Sequence, residues 1–160
     1  MPNLLLILTA TLASFLTGLE TKTLQTDFTL TIAENATQPL NITGTITVHG
    51  TQFLLSAMDY EAAYDGSTLY LWQPETAELT LSTPTAEELL EVNPFLYAKA
   101  LNDAGVKVNF TINDKQLPVR AEMQDGKQTY TLTFRNAKYI TTPVTYSITP
   151  PDGAFINDLR

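Results

Sequence analysis

Apolar and polar side chains alternate along most of this chain. Phe28, Leu30 and Ile32 alternate with Thr29 and Thr31, and Leu40, Ile42, Ile46 and Val48 resume the pattern after a polar loop over residues 33–39. A period of two sends successive side chains to opposite faces, so each run predicts a strand with one apolar face. Gly44, inside the second run, predicts a bulge or bend. His49-Gly50-Thr51 turns the chain toward Phe53 and Leu55. Asp65-Gly66 predicts a type I′ hairpin into a strand over Leu69–Trp72, because that turn needs positive φ at both central residues. Gln73-Pro74-Glu75-Thr76 turns again toward Leu79 and Leu81. Further on, Val106 to Ile112, Leu117 to Met123 and Tyr130 to Phe134 alternate around an Asp125-Gly126 hairpin. Tyr139-Ile140 and Tyr146-Ser147-Ile148 are expected to complete the sheet.

The period changes once, over residues 83–103. Thr85-Ala86-Glu87-Glu88 reads as a capping box, and Leu89, Leu90, Val92, Phe95 and Leu96 supply an apolar stripe. Pro94 cannot sit inside a helix without removing a hydrogen bond and clashing with the preceding turn. Two short helices are therefore expected, 85–92 and 94–102. Hairpin-linked strands, one helical insertion and no βαβ unit predict a mainly β, α+β fold built on an antiparallel sheet. The 26 threonines support this, since β-branched side chains suit a pleated surface.

No charged side chain occurs before Glu20, and Leu4 to Leu8 is continuously apolar. With Thr11-Leu12-Ala13 as a small-x-small cleavage site, residues 1–13 read as a signal peptide and 14–160 as a single domain. The same segment also suits a helix over residues 4–19 buried against the sheet, and both readings stand.

Composition removes several function classes. The chain has no cysteine, which excludes disulfides, thiolate metal sites and Cys nucleophiles, and it has one histidine, in a turn. Net charge is −8, and no Lys or Arg lies between Thr23 and Ala98, against ten Asp or Glu there. Binding nucleic acid needs clustered cations, so that partner is not expected. Glu87, Glu88 and Glu91 look at first like paired carboxylates, but they occupy the first turns of a helix, where its dipole favours negative charge. No nucleophile elbow or phosphate-cradling loop is present. An enzyme is not expected, and neither a metal nor a cofactor is implied.

Three stretches carry a family resemblance. Asp65-Gly66 followed by Leu69-Tyr70-Leu71-Trp72, the helix entry from Ser82-Thr83-Pro84-Thr85 through Asn93-Pro94-Phe95, and the Pro150-Pro151-Asp152-Gly153 ending with its Asp158-Leu159-Arg160 tail together resemble LolA-like lipoprotein carriers, in particular their Bacteroidetes-type members. The resemblance implies a strongly curved antiparallel sheet, an incomplete barrel closed by helices, around an apolar cavity. It implies a monomeric periplasmic carrier that shields lipoprotein acyl chains between inner and outer membrane. Its partners would be the acylated lipoprotein, an inner-membrane release transporter and an outer-membrane acceptor. The cavity would draw on Phe28, Leu30, Ile32, Ile46, Val48, Phe53, Leu55, Leu69, Tyr70, Leu71, Trp72, Phe95, Leu96, Leu132 and Phe134. An alternative is a sensor or regulatory module of the same fold, which binds a lipoprotein and a protein partner without transport. The chain departs from the family in one respect. LolA proteins hold the lid shut with an Arg from an early strand, whereas no Arg precedes Arg120 here.

Overall fold

The computed structural model describes residues 12–34 and 37–160. The expected signal peptide over residues 1–13 thus lies almost wholly outside the described residues, as does the first half of the alternative 4–19 helix. A helix, α1, occupies residues 12–18. This segment buries Leu12 and Phe15, and Leu19 just beyond it, whose spacing makes one helical stripe.

Ten strands follow in one sheet: β1 (Thr23–Glu34), β2 (Leu40–His49), β3 (Gln52–Ala57), β4 (Tyr60–Tyr64), β5 (Leu69–Gln73), β6 (Glu78–Ser82), β7 (Val108–Ile112), β8 (Pro118–Asp125), β9 (Gln128–Ile140) and β10 (Phe155–Asp158). Between β6 and β7 lie α2 (Ala86–Val92) and α3 (Pro94–Asp103). The sheet order is β10-β6-β5-β4-β3-β2-β1-β9-β8-β7, and the sheet is open and curved. The chain is mainly β, as its alternation predicts.

The helix break is written in the sequence. A residue before proline is pushed out of the helical region, and Asn93 adopts φ −120° and ψ 106°. Its backbone N–H closes α2 on the Leu89 carbonyl at 3.1 Å, while its side-chain oxygen accepts from Phe95 N at 3.0 Å to open α3. The capping box is also present: Glu88 N donates to Thr85 Oγ1 and Thr85 N donates to Glu88 Oε2, each at 3.2 Å.

Three local expectations need correction, and one strand goes unforeseen. The Asp65-Gly66 turn is not type I′: only Gly66 has positive φ, and Asp65 Oδ1 instead accepts from Ser67 N and Thr68 N, closing a longer loop. Gly44 is no bulge; it pairs in unbroken register with Phe28 and Ala57, and a Cβ there would collide with the Ser56 carbonyl. Register shifts fall instead between Gln25 and Asp27, against β9, and between Thr111 and Ile112, against β8. Tyr146-Ser147-Ile148 is not a strand. Pro143 and the Pro150-Pro151 pair flank it, and proline lacks the N–H a ladder needs. Finally, the alternation pattern does not predict β10, which pairs with β6 in parallel, unlike every other pair in the sheet.

That last pairing sets the path of the C-terminus. To seat β10 on the far side of β6, residues 141–154 cross about seven strand spacings from β9, about 34 Å at ~4.8 Å each, within reach of an extended strap. Ser147 and Ile148 lie against Thr47, Leu54 and Glu61, the side of the sheet opposite the helices. The sheet is therefore clad on both faces: helices and the main core inside, the strap outside.

Candidate functional site

The main core lies between the inner face and the helices. Phe28, Ile46, Phe53, Leu55, Phe110, Leu132 and Phe134 from the sheet join Leu12 and Phe15 of α1 and Phe95 and Ala98 of α3 in one cluster. Aromatic contacts tie these layers together. Phe15 lies 4.9 Å from Phe110 and 5.7 Å from Phe95, centroid to centroid, and Phe95 stacks on Phe134 at 5.5 Å. The helical cover is thus held by apolar contact, in a chain with no Arg before Arg120.

Two grooves open on either side of the start of α3. The first, of about 300 Å³, runs between the inner sheet face and the α2–α3 junction. Phe28, Leu30, Ile32, Ile42, Leu55, Met123 and Leu132 form its floor; Leu90, Val92 and Pro94 form its roof; and Tyr60, Tyr97 and Tyr130 stand along it. Among the described residues, Glu91 is the one charged residue in its wall. Burial raises the pKa of the Tyr60 hydroxyl above its ordinary value near 10. Tyr97 is raised too, by burial first and then by Tyr130 and Asp125. Both phenols therefore stay neutral at physiological pH, and the groove offers surface rather than a nucleophile.

The second groove, also about 300 Å³, lies between α1 and α3 and reaches Val48, Gly50 and Thr51 at the β2–β3 turn. Leu12, Leu16, Phe95 and Leu96 line it together with Asn93 and Lys99. Asn93 is 1% exposed, and its Nδ2 meets no hydrogen-bond partner among the described residues. An orphaned buried donor costs about 1–3 kcal/mol.

The structure divides the expected cavity residues into three sets. Phe28, Leu30, Ile32, Leu55 and Leu132 line the first groove. Ile46, Phe53, Leu69 and Phe134 are buried core, with Leu71 packed against it, while Val48, Phe95 and Leu96 line the second groove. Tyr70 and Trp72 do not join them. Leu69 and Leu71 point inward, so the alternate residues face outward, where Tyr70 pairs with Ala63 and Leu81, and Trp72 with Glu61 and Leu79. Reading Leu69–Trp72 as a single lining segment overlooks this alternation. The sequence reading also misses Ile42, Ala57, Tyr60, Leu90, Val92, Tyr97, Met123 and Tyr130. Of these, Met123 and Tyr130 are accessible to pattern reasoning, since they face each other across the β8–β9 hairpin.

Among the described residues, no group of three or more His, Cys, Asp or Glu side chains is placed to hold a metal ion, and no helix is long and apolar enough to cross a membrane.

No family model matches the chain, and no curated protein matches it in sequence. Its fold is similar to that of a conserved uncharacterized protein from Thermus thermophilus, with a TM-score of 0.58 at 8% identity over 93% of this chain and 98% of the other. A DUF1329 family protein from Desulfovibrio piger aligns with a TM-score of 0.41 at 9% identity, over 82% of this chain and 92% of the other. The first likeness shows a shared fold alone, and the second is too distant to bear on it.

Proposed function

We propose that this chain is a non-enzymatic periplasmic carrier that shields lipoprotein acyl chains between its curved sheet and helical cover, for transfer from inner to outer membrane. The observation that carries this reading is the first groove, an apolar slot with neutral phenols and one carboxylate. Each methylene taken out of water gains about 0.8 kcal/mol, so such a slot binds acyl chains without directional chemistry. A volume of about 300 Å³ sits at the small end of ligand pockets, which span roughly 300–1,000 Å³. A full acyl load thus requires the cover to lift. The α2 helix suits that role, since it buries none of its residues and is joined to α3 at a proline break. The LolA-like motifs in the sequence point to the same cargo.

The test is titration of a fluorescent palmitoylated peptide into the purified chain. Binding should saturate at one site, and Leu90→Glu, which puts a second carboxylate in the roof, should weaken it at least about tenfold while the fold stays intact. A folded wild-type protein that takes up no acyl peptide overturns the carrier reading.

A further inference from the structure

We infer that the cleft under the C-terminal strap, on the outer face of the sheet, binds a neutral pyranose sugar, with Glu61 accepting from the sugar's hydroxyls and Trp72 packing against its ring. This goes beyond the carrier reading and does not rest on it, because the sheet lies between this cleft and both grooves.

Strand register brings the groups together. Thr45 pairs with Ser56, Ser56 with Glu61 and Glu61 with Trp72. Directly opposed residues share a face, so these four side chains make one row across β2, β3, β4 and β5. Trp72 faces outward, as Leu69 and Leu71 face inward, and the whole row is therefore on the outer face. Ser147, Ile148 and Thr149 of the strap lie over Thr45, Thr47, Ser56 and Glu61 and enclose a cleft of about 400 Å³. That is the small part of the ligand-pocket range of roughly 300–1,000 Å³.

The cleft is lined by five hydroxyls and one carboxylate. Elsewhere in the sheet threonine hydroxyls are engaged: Thr26 donates to the Arg135 carbonyl at 3.1 Å and Thr31 to Asn41 Oδ1 at 2.8 Å. Among the described residues, no such bond engages the side chains of Thr45, Thr47, Ser56, Glu61, Ser147 or Thr149. Each hydroxyl can both donate and accept, and the carboxylate accepts at two oxygens. A sugar carries hydroxyls on adjacent carbons, so it meets this set in kind and brings no charge. Among the described residues the lining holds no Lys or Arg, so an anion would find Glu61 and no counter-charge. A metal ion would find a single carboxylate, whereas hard cations gather several oxygen ligands.

Trp72 adds the apolar half of the recognition. It stands beside the cleft, half-buried, in the pair with Glu61, where opposed Cβ atoms lie about 5 Å apart. A pyranose has hydroxyls at its rim and C–H groups on its faces. A carboxylate next to an indole face matches both at once.

Trp72 is the chain's one tryptophan, so its fluorescence reports on this cleft directly. Titration of glucose should change that fluorescence saturably, at millimolar concentration, and NMR shift changes should gather at Thr45, Thr47, Ser56, Glu61 and the strap. Glu61→Gln keeps the shape but removes the charged acceptor, and should weaken glucose binding about tenfold. Trp72→Leu, followed by NMR, should weaken it at least about fivefold. Glucuronate, the same ring with a carboxylate, should bind more weakly than glucose. Tighter binding of maltotetraose than of glucose would assign the cleft to a glycan chain, and equal binding to a free sugar. No saturable response to either sugar, shifts that gather elsewhere, a response to calcium chloride alone, or unchanged affinity in both variants overturns the inference. Acyl-peptide binding should be the same in wild type and both variants, so the carrier reading stands or falls separately.

Discussion

Phe95 lies nearly flat on Phe134, with ring centroids 5.5 Å apart and 9° between the planes. One ring belongs to α3 and the other to β9, so the pair joins the helical cover directly to the sheet. Phe15 of α1 touches Phe95 as well, and three layers therefore meet at one side chain. The second groove borders this contact through Phe95.

Replacing Phe95 with Ala should destabilise the fold by about 3–5 kcal/mol, the usual range for emptying a buried aromatic site. Phe95→Leu keeps most of the volume and should cost less than about 1.5 kcal/mol. Urea unfolding of the two variants measures this; similar losses would mean that the ring itself, rather than the volume, anchors the cover.

Gly44 sits where β2 passes close to β3. A Cβ there would lie 3.0 Å from Ala57 Cα and closer still to the Ser56 carbonyl oxygen. Both obstacles are backbone and cannot swing aside, so Gly44→Ala should cost at least about 1–3 kcal/mol. Gly18, on α1, has open space around its added Cβ. Gly18→Ala should instead stabilise by about 0.4–1 kcal/mol by restricting the unfolded chain. Thermal melts of the pair should move in opposite directions.

Tyr146 is buried but lies outside the main core cluster, in the strap across the outer face. Tyr146→Ala should cost about 3 kcal/mol while leaving acyl-peptide affinity unchanged, because the sheet lies between the strap and the grooves. A matched loss of affinity in a folded variant would mean that the strap controls the shape of the inner face.

Asp158, near the C-terminus, accepts from the Arg160 guanidinium at 2.7 and 2.9 Å and from its backbone N–H at 3.1 Å. These bonds lower its carboxyl pKa from 3.8 to about 2. A folded-state pKa below the unfolded value stabilises the fold above pH ~4, and that contribution disappears as pH falls through the folded pKa. Both side chains are exposed, so the effect on global stability should be small. An NMR titration should place the carboxyl near pH 2 in the wild type and return it toward 3.8 in Arg160→Ala.

Much of the architecture is legible from local signals. Thr85 and Glu88 announce α2, Asn93-Pro94 announces its end, and the alternation of Phe28, Leu30 and Ile32 marks an inward face. These are contacts between near neighbours, where the backbone geometry follows from the residues themselves. Local reading fails where the deciding partner is remote. Nothing local to Gly44 reports that Ser56 and Ala57 will press on it, and nothing local to Phe155 reports that Glu78 will receive it in parallel.

By itself the sequence determined the mainly β class, the two-helix insertion and which side chains must leave water. Alternation, capping and proline are properties of a few adjacent residues. Tertiary structure decided the rest: which face of Leu69–Trp72 turns inward, the route of the C-terminal strap, the two grooves beside α3, and the unpartnered amide of Asn93. Each depends on a contact between segments far apart in the chain, and only packing specifies such a contact.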